Sequence, residues 1–164
     1  METNLSPEIR LMLAGALTPL QSNEIDRLRE LCVQPLDWAG VGQLARRHGL
    51  AAILYTNLNR HAPGLIPAGA KDALKKDAQE NHQMAMLLYA EIIRLDKILS
   101  PAGVSICPIK GPQLSKQLYG DVGLRATRDI DLLISEEQVW PADKILTASG
   151  YRRTNPRFPL SPVQ

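Results

Sequence analysis

Apolar positions in the first hundred residues recur at helical spacing, and the residues between them are those that start and stop helices. Ser6 ahead of Pro7 and Glu8 predicts an N-cap with proline in the first turn, and Thr18-Pro19 closes a helix over about 7–17. Ser22 followed by Asn23, Glu24, Ile25 and Asp26 puts acids at a second N-terminus, where the backbone dipoles favour them. Ile25, Leu28 and Leu31 share its apolar face to about Val33. Asp37 caps a third segment running through Arg47 to a stop at Gly49. Leu50 to Asn59 makes a fourth before the breaker string His61-Ala62-Pro63-Gly64. The four predict a small helical layer.

From Pro67 to Leu99 the only glycine or proline past the start is Gly69, in the first turn. Leu74, Ala78, Asn81, Ala85, Leu88, Ile92, Leu95 and Leu99 recur in steps of three and four. One long amphipathic helix follows, with Leu88 and Ile92 expected in its buried stripe. The stripe is expected to pack on the chain's own helices, with Lys75, Lys76, Asp77 and Glu80 as the solvated face. A homodimeric coiled coil with Asn81 as its polar seam is the other arrangement of the same pattern.

After Ser100-Pro101-Ala102-Gly103 the period shortens. Val104, Ile106, Cys107 and Ile109 predict a strand over about 104–109, with Pro108 at an edge or strand end. A short helix, Gln113 to Tyr119, ends at Gly120 before a polar loop, Asp121 to Arg128, and Asp129 to Ile134 reads as a second strand. Ser135 caps a helix that continues through Leu146 to Gly150, and Tyr151 to Arg153 is positioned to begin a third strand. The expected organisation is α+β: a helical region 1–100, a strand-bearing core 101–153, and a loose tail 154–164 carrying Pro156, Pro159 and Pro162.

Composition narrows the function classes. With 45% hydrophobic and 22% charged residues in 164, the chain has the balance of one globular domain that needs no disulfide or metal to fold. Nineteen basic against seventeen acidic residues leave a net charge of +2, and only seven residues are aromatic, so neither a nucleic-acid nor a membrane partner is indicated. The apolar run Ile9 to Leu17 is too short to span a bilayer and follows Glu2 and Glu8 rather than positive charge, which suits a cytoplasmic protein. Cys32 and Cys107, far apart and in apolar surroundings, are expected to be reduced and buried. His48, His61 and His82 lack zinc-site spacing and are expected at surface or half-buried positions.

The chemistry concentrates in Asp129-Ile130-Asp131-Leu132-Leu133-Ile134. Side chains alternate along a strand, so the two aspartates point the same way; their repulsion is relieved by a divalent cation such as Mg²⁺ or Mn²⁺. Upstream, Lys110-Gly111-Pro112-Gln113-Leu114 leaves a strand and opens a helix, where uncapped amides and the lysine charge suit a phosphate.

The order KGPQLSKQLYGD, GLRATRD and DIDLLI, over about Gly103 to Tyr151, resembles the DNA polymerase β-like nucleotidyltransferase superfamily, and more narrowly a family of uncharacterised bacterial nucleotidyltransferase proteins. The resemblance implies a minimal nucleotidyltransferase-type core with a short mixed sheet, as a natural short form or a truncation. It makes Asp129 and Asp131 the catalytic metal ligands and Gly111, Pro112 and Gln113 the triphosphate-facing turn, with Lys110, Arg125 and Arg128 as charge partners of phosphate or substrate. Two departures stand out. Pro112 occupies a place usually held by serine or glycine, which removes a hydroxyl and an amide donor. The third acid of the superfamily is not found, since Glu136 and Glu137 follow the second strand too closely.

The activity implied is metal-dependent transfer of an NMP from an NTP to an acceptor that the sequence leaves open. The alternative is a non-catalytic nucleotide- or metal-binding or interaction module acting with a partner chain, and a helical adaptor built on the Leu74–Leu99 stripe is a third reading. A short sheet with an open edge also predicts a homodimer or a partner that completes it. Read without the resemblance, Lys110 ends a strand, Gly111 serves a tight turn, and Arg125 and Arg128 neutralise Asp121 and Asp129.

Overall fold

The computed structural model describes residues 5–154, so the expected loose tail lies, apart from Thr154, outside the described residues. The α+β architecture forms as expected, with helices α1 Pro7–Gly15, α2 Ser22–Cys32, α3 Trp38–Arg47, α4 Ala51–His61 and α5 Ala68–Leu99 preceding the first strand. Strand β1 is Cys107–Pro108, α6 is Gly111–Tyr119, β2 is Leu132–Leu133 and α7 is Val139–Ala148, with single 3-10 turns at Ser100–Ala102 and Glu136–Gln138. Among the described residues no helix is long and apolar enough to cross a membrane.

Local signals set several helix ends, although Asp37 and Ser135, expected as caps, make no side-chain cap bond, and α7 starts only after the 3-10 turn that follows Ser135. The Ser6 hydroxyl accepts from the Ile9 amide at 3.4 Å with Pro7 in the first turn. For α2 the cap is one residue earlier than Ser22: Gln21 is the N-cap, and its amide donates to Glu24 at 2.7 Å in a reciprocal capping arrangement.

Helix α5, 32 residues long, joins two cores. At its start Leu74 packs with Leu11, Leu28, Leu31, Val41, Leu54 and Leu58 of the four-helix layer. At its end Leu95 and Leu99 pack with Val104 and Ala142, flanked by Ile106, Ile130, Leu132, Ile134 and Ile145. Each such side chain removed from water contributes roughly 1.5–3 kcal/mol, so both ends of α5 are anchored independently. The stripe therefore packs within the chain, and Asn81 donates to the Gly123 carbonyl at 2.5 Å rather than lying in an intermolecular seam. Ile92 is buried as expected; Leu88 is only half-buried. Asp77 departs from the solvated face predicted for it: its side chain is 11% exposed, because α3 brings Arg46 against it.

Among the described residues the sheet is one antiparallel pair rather than the mixed sheet expected, with Cys107 opposite Leu133 and Pro108 opposite Leu132. It is shorter than the strands read from the sequence. The extended chain before β1 is held by a side chain instead of a strand: Gln138 accepts from the Ser105 amide at 3.1 Å and donates to the Gly103 carbonyl at 2.7 Å. Tyr151–Arg153 does not form the expected third strand. The Tyr151 amide instead closes α7 by donating to Leu146, its hydroxyl pairs with Glu91, and Arg153 pairs with Asp143. Cys32 is buried, but Cys107 is exposed, since Val104 and Ile106 take the inward positions of that segment and Cys107 falls on the other face. His48 and His82 are exposed and His61 is half-buried.

Candidate functional site

The site is built where α6 begins. Gly111 has φ +74°, a left-handed conformation that an L side chain resists, and a Cβ there would lie 3.3 Å from Thr127 Oγ1 and 3.4 Å from the Asp129 carbonyl oxygen. The missing side chain lets the start of α6 lie against the chain at 127–129. The N-cap Lys110 is extended and makes no side-chain cap, so the first amides of α6 carry no capping side chain, and Pro112 supplies none. Gly111 and Pro112 are buried and Gln113 is exposed.

Asp129 and Asp131 lie just ahead of the β2 ladder, Asp129 at a bend in the chain. Ile130, Leu132 and Ile134 pack into the second core, which leaves Asp129, Asp131 and Leu133 on the opposite face. Two bonds hold this stretch: the Ile109 amide donates to the Asp131 carbonyl at 3.1 Å, and the Thr127 hydroxyl donates to the Asp129 carbonyl at 3.2 Å. Lys110 Nζ stands 3.4 Å from Asp131 Oδ2. A cation is thus already attracted to this carboxylate, and Asp129 and Asp131 supply the hard oxygen donors that could hold a divalent cation such as Mg²⁺ or Mn²⁺. Among the described residues no group of three or more His, Cys, Asp or Glu is arranged to hold a metal ion.

The other predicted residues are placed unequally. Arg128 is exposed beside the acids, and neither it nor Arg125 forms the predicted ion pair with Asp129 or Asp121. Arg125 is instead tied by its backbone, whose amide donates to Ser115 Oγ at 3.2 Å. Asp121 accepts from the Gly123 amide at 2.7 Å and lies 3.5 Å from His82 Nδ1, away from the acid pair's own partners. Glu136 and Glu137 are exposed on the 3-10 turn after β2.

Three contributors escaped the sequence reading. Ser115, fully buried, donates to the Asp121 carbonyl at 2.7 Å and so ties α6 to the arginine-bearing loop. Thr127 closes the site under Gly111. Gly123 lets that loop touch α5, because a Cβ there would meet the His82 Cα at 2.9 Å. A serine on a short helix and a glycine in a polar loop carry no signal of these contacts; only the threonine's nearness to the two aspartates hinted at its place.

Between α3, α4 and α5 on one side and residues 126–128 on the other opens a cleft of about 730 Å³. In it Arg46 donates from Nε and Nη2 to Asp77 Oδ2 at 3.1 and 2.9 Å, and that bond pushes the guanidinium further above its already high range.

A family described as uncharacterised nucleotidyltransferase has a model that matches residues 34–160, well over half of the chain. No curated protein and no solved structure matches it. The matched span takes in the glycine turn, the arginine loop and the two aspartates, and the chain belongs to this uncharacterised nucleotidyltransferase family.

Proposed function

We propose that the chain carries out metal-dependent transfer of an NMP from an NTP to an acceptor, in a cytoplasmic setting. The observation that carries the reading is the packing of the Gly111 turn against Thr127–Asp129 with Lys110 on Asp131, which gathers a phosphate-facing helix start, two carboxylates and a cation in one place. When bound at Asp129 and Asp131, Mg²⁺ or Mn²⁺ supplies charge neutralisation to the triphosphate and its pyrophosphate leaving group. Lys110 balances Asp131 and is released to a phosphate oxygen when the nucleotide arrives. The amides opening α6 orient the same oxygens.

The test is a panel of NTPs with Mg²⁺ or Mn²⁺, reading thermal shift and pyrophosphate release together. Asp129→Asn and Asp131→Asn are each expected to abolish Mn²⁺-dependent nucleotide binding with the fold intact. Parent-like binding by either variant refutes the assignment. A second reading is favoured by the two-acid set with its lysine: a nucleotide-binding module completed by a partner chain or a second copy that extends the open sheet edges. It predicts nucleotide binding without pyrophosphate release by the chain alone, in a species heavier than a monomer by light scattering.

A further inference from the structure

We infer that the cleft beside residues 126–128 is the acceptor site, and that the acceptor is a small hydroxyl-bearing molecule carrying an anionic group such as a phosphate or carboxylate. The inference rests on the nucleotidyltransferase reading above. The segment 126–128 is shared by two surfaces: Thr127 lies beneath Gly111 at the phosphate-facing turn, and Ala126, Thr127 and Arg128 also line the cleft. A molecule in the cleft therefore touches the same short segment that borders the triphosphate turn, which sets a second substrate beside the first.

Size and lining define its class. Ala51, Ala52 and Ala73 leave the lining short of long side chains, and about 730 Å³ lies within the range of roughly 300–1,000 Å³ that small-molecule sites occupy. Three cations, Arg46, Lys76 and Arg128, face two carboxylates, Asp77 and Glu80. Arg46 is matched by Asp77, and Lys76 lies 3.9 Å from Glu80. Arg128 has no ion-pair partner among the described residues, so the cleft as a whole is left one positive charge in excess and favours an anion. In the reaction the acceptor's hydroxyl oxygen attacks the α-phosphorus. A new O–P bond forms as the α–β bridging P–O bond breaks, pyrophosphate leaves with the bonding pair, and the hydroxyl proton passes to solvent.

The experiment titrates the full chain with glycerol 3-phosphate by calorimetry, and separately with a non-hydrolysable NTP and Mg²⁺. Ala73→Trp plugs the cleft from an exposed position, and Lys76→Glu, also exposed, reverses a charge on its rim. Each is expected to weaken glycerol 3-phosphate at least tenfold while the nucleotide titration is unchanged. No saturable binding of glycerol 3-phosphate by the parent, or parent-like binding by both variants, overturns the inference. Equal loss of nucleotide and probe in both variants also overturns it and makes the cleft the nucleotide's own pocket. A parent that binds the probe but no nucleotide refutes the transferase reading, and the acceptor assignment with it.

Discussion

Replacing Gly111 by alanine tests whether the site depends on the close approach of α6 to the chain at 127–129. At φ +74° an alanine costs about 1–2 kcal/mol relative to right-handed backbone. Its methyl would also sit 3.3 Å from Thr127 Oγ1 and 3.4 Å from the Asp129 carbonyl, so Thr127 must yield by a few tenths of an ångström. That movement loosens a 3.2 Å hydrogen bond worth on the order of 0.5–1 kcal/mol at a surface. Against this, alanine lowers the entropy of the unfolded chain by about 0.4–1 kcal/mol, leaving a net loss of about 1–2 kcal/mol. In a chain of this size each kcal/mol moves Tm by roughly 2–4 °C. The assay is urea unfolding of Gly111→Ala beside Gly42→Ala, which lies inside α3 with open space where its Cβ would stand. Gly42→Ala is expected to gain about 0.5–1 kcal/mol from helix propensity. Nucleotide affinity should fall in the Gly111 variant alone. If Gly111→Ala matches the parent within 0.5 kcal/mol, or is stabilised as Gly42→Ala is, the strained close-packed turn is not what orders the site.

Leu99→Ala, at a side chain 1% exposed in the second core, is expected to cost about 2–5 kcal/mol, and Leu88→Ala, half-buried, distinctly less; equal losses in urea melts would contradict the burial seen on α5. A thiol reagent should modify Cys107 in the native protein within minutes, whereas Cys32, buried and with its thiol pushed up to about 11 by desolvation, should react only on unfolding; mass spectrometry of the labelled peptides decides. Hydrogen bonding from Arg94 holds the Glu91 carboxyl below its ordinary 4.5, so its contribution to stability is present above that value and lost as pH falls through the lower folded value. Acid titration of unfolding should therefore be shallower for Glu91→Gln than for the parent, and identical curves would remove Glu91 from the account.

Helix starts and stops were legible in the sequence because they depend on neighbours a few residues away: Ser6 on the Ile9 amide, Pro7 in the first turn, Gly120 and Gly150 past helix ends. The expectation that Asp129 and Asp131 share a face is of the same local kind, since it rests on alternation along extended chain; beside them Ile130, Leu132 and Ile134 pack inward. Strand length was not legible. A ladder exists only where a partner is present, and Gln138, about thirty residues on in the chain, takes the bonds that a neighbouring strand would have taken from Gly103 and Ser105. The exposure of Cys107, the half-burial of Leu88 and the ion pair between Arg46 and Asp77 were decided in the same way, by which element happened to arrive from far along the chain. The cleft belongs wholly to this second kind: its walls come from residues 46 to 128, and no periodicity within any one segment encodes a space between segments. Local chemistry placed the acids and the glycine turn in order along the chain, and tertiary packing alone put Thr127 beneath Gly111 and Lys110 on Asp131, because contacts between distant residues are set by the docking of whole elements onto α5 and not by the residues' own neighbours.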